Sequence, residues 1–560
     1  MMVTISQTLQ LRAEEHPDDL AYCFLSRRST LQETLTYREL FMVVRAMADR
    51  ICAKTAWQEP VGCVIGPGLQ FVVAFLACLW AGRIAVPIGP PRFNQSLSGM
   101  FGVLRNAGAV TCICDDAVMS RVAVEAGDLS AAMKMKWIGA DTSAEPAPLS
   151  GRDGLRPRGS DIAYLQYTSG STGRPRGVVV RHDNLSANSE AIRQAFGHSR
   201  DSVGVIWLPP FHDMGLVGGI LQPLHVGFPV YLMSPQDFLR RPLTWLEAVS
   251  QFRATTSGGP NFAYEQCVTR ISPSDVDGLD LSHWSVAFTG AEPVSANTMD
   301  AFARRFAPAG FRKTSLTPCY GLAEATLIVT CADRTAAPHT ASPATDVRGP
   351  GYVSCGPPVP GTKVAIVDEI TGRPCAEGGS GEIWVHGPGL AAGYWKQAEA
   401  SENAFGARLA PAGPEPYLRT GDIGFLMNDE LYVCGRLKSV AIIRGVNRHL
   451  EDVEQIATTS HPALFGRRCA AFVVPTAVGD EGLVLLQEAP REARAGAVAD
   501  TVLAAVRSRI SAEFGVQPTD IRLVASSEIP KTASGKIQRG RAREMYLASI
   551  SPQTVSSHLD

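Results

Sequence analysis

Short apolar runs separated by stretches of helical spacing are what most restrict the architecture open to this chain. Runs at 61–65, 84–88 and 110–114 alternate with helical patterns at 9–15, 37–51 and 69–81, and further runs stand at 203–208, 230–232, 285–289 and 316–320. Strands buried on both faces read as unbroken apolar segments, and a helix between two of them sets them parallel. The pattern predicts an α/β chain. At roughly 150 residues per domain, 560 residues suggest two to four structural units. Between 334 and 351 the composition shifts to Ala, Pro, Thr and Gly, which predicts a long surface loop. Beyond it, β-like runs at 363–368, 381–386 and 430–434 precede another small alternating unit, and residues 551–560 form a polar tail expected to fray.

Charge excludes some partners. With 52 Lys and Arg against 54 Asp and Glu, the chain lacks the clustered cationic excess that nucleic acid or an anionic membrane face demands. Thirteen scattered cysteines do not form the dense even framework of a small secreted domain, so a reducing, cytoplasmic setting is expected. Cys112 and Cys114 fall in an apolar run and are read as core thiols rather than metal ligands. No basic-then-apolar leader opens the sequence. The most lipid-like stretch, 71–82, is shorter than the roughly 20 residues that cross a bilayer, so it is read as a core helix, with no stable membrane insertion.

The most informative segment is Tyr164-Leu-Gln-Tyr-Thr-Ser-Gly-Ser-Thr-Gly-Arg-Pro-Arg-Gly-Val-Val-Val180. An apolar run leads into Thr168, Ser169, Gly170, Ser171, Thr172 and Gly173, then Arg174, Arg176 and Gly177, and a second apolar run follows. Glycines let backbone N–H groups curl toward one point, hydroxyls add donors and guanidinium adds charge, which together make a cradle for phosphate oxygens. The spacing does not provide the Gly-Lys-Ser/Thr of a Walker A loop.

This segment resembles the phosphate-binding loop of the adenylate-forming superfamily, which contains acyl-CoA synthetases, luciferases and peptide-synthetase adenylation domains. Trp207-Leu-Pro-Pro-Phe-His-Asp-Met-Gly-Leu216, Gly258-Gly-Pro-Asn-Phe-Ala-Tyr264, Gly290-Ala-Glu-Pro-Val294 and Tyr320-Gly-Leu-Ala-Glu-Ala-Thr326 are similar to the fatty-acyl-AMP ligase branch. Tyr417-Leu-Arg-Thr-Gly-Asp422, Gly435-Arg-Leu-Lys438 and Ile529-Pro-Lys-Thr-Ala-Ser-Gly-Lys536 look like its ribose-binding, hinge and catalytic-lysine motifs. The resemblance implies a large multi-subdomain adenylation domain over 1–435, a hinge over 436–439 turning at Lys438, and a small mobile α+β domain over 440–550. It implies ATP and Mg²⁺ as cofactors, a fatty or similarly apolar carboxylic acid as substrate, and a carrier protein, or CoA, as thiol acceptor.

Chemical roles follow for the matched residues. Joining a carboxylate to the α-phosphorus of ATP brings anions together, so cations and dipoles dominate such a site. Glu324 is expected as the Mg²⁺ ligand, since a hard dication bridging phosphates takes one or two carboxylates and otherwise waters. Asp422 is expected to accept from the ribose hydroxyls, with Arg436 nearby. Gly290 and Ala291 are small enough to let adenine lie on the backbone, with Glu292 and Gly321 beside them and Tyr320 as a stacking surface. His212, Asp213, Met214 and Gly215 follow a strand-like run, where α/β sheets place ligands, and are expected at the acyl pocket together with Gly290. His212, Glu324 and Lys536 are expected as the catalytic set, the Lys536 ammonium lying between carboxylate and α-phosphate.

Several positions depart from the resembled pattern. Position 176 is Arg where the loop usually has Lys, Ala323 precedes Glu324 where many superfamily members have Thr, and Ser439 replaces a usual acidic residue. About twenty residues separate Thr330 from Tyr352, which is short for the insertion that acyl-AMP ligases carry there and that hinders use of CoA. An acyl-CoA synthetase is therefore the competing enzyme reading. A non-catalytic adenylate-binding regulatory protein is a third, motivated by Arg176 and opposed by Glu324, Asp422 and Lys536 together.

Overall fold

The computed structural model describes residues 3–25, 31–91, 96–125, 135–141, 156–168, 175–344, 351–411, 413–437, 440–443, 446–475, 481–514, 516–531 and 537–550. Two compact units are present: residues 1–420 with 424–433, and residues 421–423 with 434–560.

The first unit is built on two large sheets. One has six strands in the order Lys136–Gly139, Thr111–Cys114, Pro60–Val64, Ile84–Ile88, Ile162–Thr168, Arg176–Arg181. Its pairs are parallel except the last, an antiparallel hairpin in which Thr168 faces Arg176. The other has eight strands and a parallel centre in which Leu316–Gly321, Val286–Thr289, Thr256–Gly259 and Gly204–Ile206 are neighbours. Antiparallel strands close its two edges, Ile328–Cys331 at one and Leu31–Thr36 at the other. A further four-stranded sheet runs Lys363–Val367, Gly381–His386, Leu418–Met427, Glu430–Arg436.

Helix Leu69–Trp80 accounts for the most lipid-like stretch. Phe71, Val72, Val73, Ala74, Phe75, Leu76, Ala77, Cys78 and Leu79 are all buried, so from Phe71 to Leu79 the helix is apolar all round because protein covers it. No helix among the described residues is long and apolar enough to cross a membrane. Cys112 and Cys114 are fully buried in a second apolar cluster with Phe101 and Leu104, and all thirteen cysteines are free thiols. Within the expected surface loop, Thr340–Ala341 pairs with Tyr352–Val353 in a short two-stranded ladder.

The second unit packs helices Leu450–Thr459 and Gly496–Phe514 on one apolar cluster and Arg539–Ile550 on another, around the sheet Cys469–Pro475, Glu481–Glu488, Asp520–Val524. Arg539 opens its helix bound to Glu454 and Glu451 at 2.6 Å each.

Candidate active site

Three parallel strands of the eight-stranded sheet, two of them adjacent and the third one strand further on across Thr256–Gly259, deliver the expected residues at their carboxyl ends, where a parallel α/β sheet leaves a crevice. Gly204–Ile206 leads to His212 and Asp213, Val286–Thr289 to Gly290, Ala291 and Glu292, and Leu316–Gly321 carries Tyr320 and leads to Glu324. Cross-links between loops hold them together. A Cβ on Gly290 would lie 2.6 Å from the Cys319 carbonyl oxygen, so the backbone after Thr289 lies against the strand carrying Tyr320. Ala291 holds φ at 66° and Thr326 at 67°; such left-handed conformations cost non-glycine residues about 1–3 kcal/mol and concentrate at functional sites.

The turn at His212 is tightly specified. His212 Nδ1 lies 2.6 Å from Asp213 Oδ1, and the same oxygen accepts from the Met214 amide at 2.7 Å. The chain then forms a π-helix over Met214–Leu221, in which the amide of Gln222 bonds to the carbonyl of Val217. Turns of this width are rare and are found at functional sites. Gly215 is required there, because a Cβ would stand 2.1 Å from the Pro209 carbonyl oxygen. The hairpin of Thr168 and Arg176 reaches this turn through Gln166, whose Nε2 donates to the Phe211 carbonyl at 3.0 Å. Two residues further back on the same strand face, Tyr164 is fully buried; burial first and the Asp213 carboxylate second push its phenol far above the usual range.

The hairpin also reaches Glu324. Arg176 lies over the Tyr394 ring, 5.4 Å from its centroid, and the Tyr394 hydroxyl donates to Glu324 Oε1 at 3.0 Å. Burial, reinforced by the Glu324 charge, raises the Tyr394 phenol well above its ordinary value, so it stays neutral. Glu324 fits an ion that bridges phosphates, being a half-buried carboxylate near the Arg176 hairpin through Tyr394.

Elsewhere the side chains have structural partners. Glu292 Oε1 accepts from the Phe262 amide at 2.7 Å, near the start of helix Asn261–Arg270. Tyr320 is buried in an apolar cluster with Val329 and Ile383. Asp422 is buried and pairs with exposed Arg436 at 3.1 Å, both in the second unit. Ser169, Gly170, Ser171, Thr172, Gly173, Lys438 and Lys536 lie outside the described residues. Sequence reasoning missed Tyr394 and Gln166: Gln166 was hidden inside an apolar run, and the signal at Tyr394 was the pair Tyr394-Trp395 after Gly393, whose φ is 125°.

Known proteins resemble this chain in sequence and fold. The family of AMP-binding enzymes matches over residues 9–395. The chain is 39% identical to the medium-chain-fatty-acid–acyl-carrier-protein ligase JamA of Moorena producens (strain JHB), over 97% of this chain and 95% of JamA. It superposes with a TM-score of 0.85 and 32% identity, covering 98% of each chain, on a structure from studies of fatty acyl-adenylate ligases of E. coli and L. pneumophila. The L. pneumophila fatty acyl-adenylate ligase in complex with acyl adenylate and pyrophosphate gives 0.73 at 34% identity, over 97% of this chain and 96% of that one.

Proposed function

This chain belongs to the AMP-binding, adenylate-forming enzymes, in their fatty-acyl-AMP ligase branch, and from that premise we propose that it activates a medium-length fatty acid and passes the acyl group to a carrier protein. A carboxylate oxygen of the acid attacks the α-phosphorus of ATP, the bond to the bridging oxygen breaks and pyrophosphate leaves. The thiolate of a phosphopantetheine arm then attacks the acyl carbonyl, AMP departs and the thiol proton goes to solvent. The observation that carries this reading is the line Arg176, Tyr394, Glu324, which sets a cation and a carboxylate beside one phosphate hairpin.

In this reading Arg176 and the hairpin bind the leaving phosphates and Glu324 holds Mg²⁺, which when bound neutralises phosphate charge. The backbone at Gly290 and Ala291 receives adenine, and Asp422 receives ribose. Lys536 offsets the repulsion between the attacking carboxylate and the α-phosphate, while His212, Asp213, Met214 and Gly215 border the carboxyl end of the acyl pocket. Rotation about Lys438 exchanges the adenylating arrangement for the transferring one. The name of JamA supports a carrier-protein acceptor. A second reading, with CoA as acceptor, is favoured by the short segment between Thr330 and Tyr352.

Pyrophosphate release measured over a panel of carboxylic acids, with CoA or a phosphopantetheinylated carrier added in parallel, tests the proposal. Release dependent on medium-length acids, with most thioester on the carrier and a minor CoA product, is expected. Acyl-CoA forming as fast as acyl-carrier would reverse the order of the two readings.

A further inference from the structure

Arg176, on the hairpin, and Glu324, on the turn after strand Leu316–Gly321, carry opposite charges and meet at Tyr394. A guanidinium and a carboxylate left to themselves form a strong bidentate pair, and such a pair would withdraw the cation from phosphate and the carboxylate from a metal. Tyr394 stands between them. Its ring face takes the Arg176 guanidinium at 5.4 Å and its hydroxyl donates to Glu324 Oε1 at 3.0 Å.

Backbone fixes the position of that ring. Residues 392–395 bond to strand Arg176–Arg181 at one point: Val178 faces Tyr394 in an isolated antiparallel bridge, the Val179 amide donates to the Gly393 carbonyl at 2.9 Å and the Trp395 amide to the Gly177 carbonyl at 2.7 Å. The Tyr394 amide itself donates to Ser401 Oγ at 2.8 Å. The same segment grips the turn that bears Glu324, since the Ala391 amide donates to the Glu324 carbonyl at 2.9 Å and Thr326 Oγ1 donates to the Gly389 carbonyl at 2.7 Å.

We propose that Tyr394 is a positioning residue which holds the hairpin cation and the Glu324 carboxylate apart and aimed into the site, its ring facing Arg176 and its hydroxyl donating to Glu324. The proposal also gives Arg176 a reason to be Arg: a planar, weakly hydrated guanidinium stacks on an aromatic face better than a compact ammonium does. The inference rests on the adenylation reading for what the two charges do, but the coupling among the three side chains is measurable without it.

The test is a double-mutant cycle of Arg176→Lys and Tyr394→Leu on the full chain, with Tyr394→Phe alongside. Affinity for inorganic pyrophosphate is read by calorimetry, kcat and KM for ATP by pyrophosphate release, and folding by thermal midpoint. Arg176→Lys should weaken pyrophosphate binding about three- to tenfold when Tyr394 is present and less than about twofold when Leu stands there, the non-additivity expected of residues in contact. Tyr394→Phe keeps the ring and removes a hydroxyl that also interacts with Arg176, so it should weaken pyrophosphate binding less than about twofold and leave the thermal midpoint unchanged while lowering kcat about tenfold through the lost bond to a charged group. That split between affinity and kcat carries the test if the Leu variant fails to fold. Additive effects in the cycle, or an unchanged kcat in the Phe variant, would overturn the proposal. A non-additive cycle in a wild-type protein that makes no acyl-AMP would instead sink the adenylation reading and leave the coupling standing.

Discussion

Tyr394 donates its phenolic proton to Glu324 Oε1 at 3.0 Å across 70 positions of sequence. The carboxylate is thereby oriented before any ligand arrives, and preorganised charge is what stabilises a transition state without reorganisation.

Glu324→Gln preserves an oxygen for Tyr394 and removes the negative charge. The variant should fold, need more Mg²⁺ for half-maximal rate and turn over about a hundredfold more slowly, since an ion's hold on phosphate charge is worth several kcal/mol. A Mg²⁺ titration of acyl-AMP formation checks this; an unmoved curve with an unmoved rate would remove Glu324 from the metal site.

Lys536 is outside the described residues; Lys531 and Ile537 pair in a bridge, and the helix that follows starts at Arg539, clamped by Glu451 and Glu454. Lys536→Ala is expected to cut acyl-AMP formation by about 10²- to 10³-fold, the usual effect of deleting one charge-stabilising donor. ATP affinity should change little, because the proposed adenine and ribose contacts are at Gly290, Ala291 and Asp422. Equal turnover in the two proteins would make Lys536 an ordinary surface lysine.

Gly215→Ala places a Cβ 2.1 Å from the Pro209 carbonyl oxygen, and backbone cannot yield as a side chain can. A stability loss of about 1–3 kcal/mol is expected, together with a raised KM for the fatty acid as the His212 turn shifts. Gly218→Ala is the control, because its Cβ would meet only the end of the Leu327 side chain, at 3.3 Å. Denaturant midpoints and acid KM values for both variants decide the matter.

His182 is fully buried, both its ring nitrogens lack a partner among the described residues, and burial pushes its pKa down to about 4. Between that value and the ordinary 6.5 the unfolded chain binds a proton that the folded chain refuses, so stability falls as pH falls through this window. From pH 7.5 to pH 5 the loss from this residue should be about 2 kcal/mol. His182→Leu should shrink the acid-induced drop in urea midpoint; an identical drop in both proteins would place the acid sensitivity elsewhere.

The parallel strands were legible because strands covered on both faces are apolar throughout, as Ile84–Ile88 is. The hairpin around the Ser/Thr/Gly loop was legible for the same reason: an apolar run enters it and another leaves it. Strand Leu31–Thr36 was not, because it is a largely exposed edge strand whose residues Gln32, Glu33 and Thr34 mask any periodicity. The π-helix at Met214–Leu221 escaped as well, since its width depends on Gly215 and Gly219 packing against Pro209 and Ile206 rather than on any local propensity. Tyr394 was missed because its role arises from pairing with a strand more than two hundred residues away.

Mass spectrometry of a reaction containing only the protein, ATP, Mg²⁺ and a medium-chain fatty acid tests the central claim most directly, because no thiol acceptor is present to consume the product. Acyl-adenylate should appear together with an equal amount of pyrophosphate, and both should vanish when the fatty acid is omitted. ADP and orthophosphate in place of these products, or no acyl-adenylate from any chain length, would contradict the assignment.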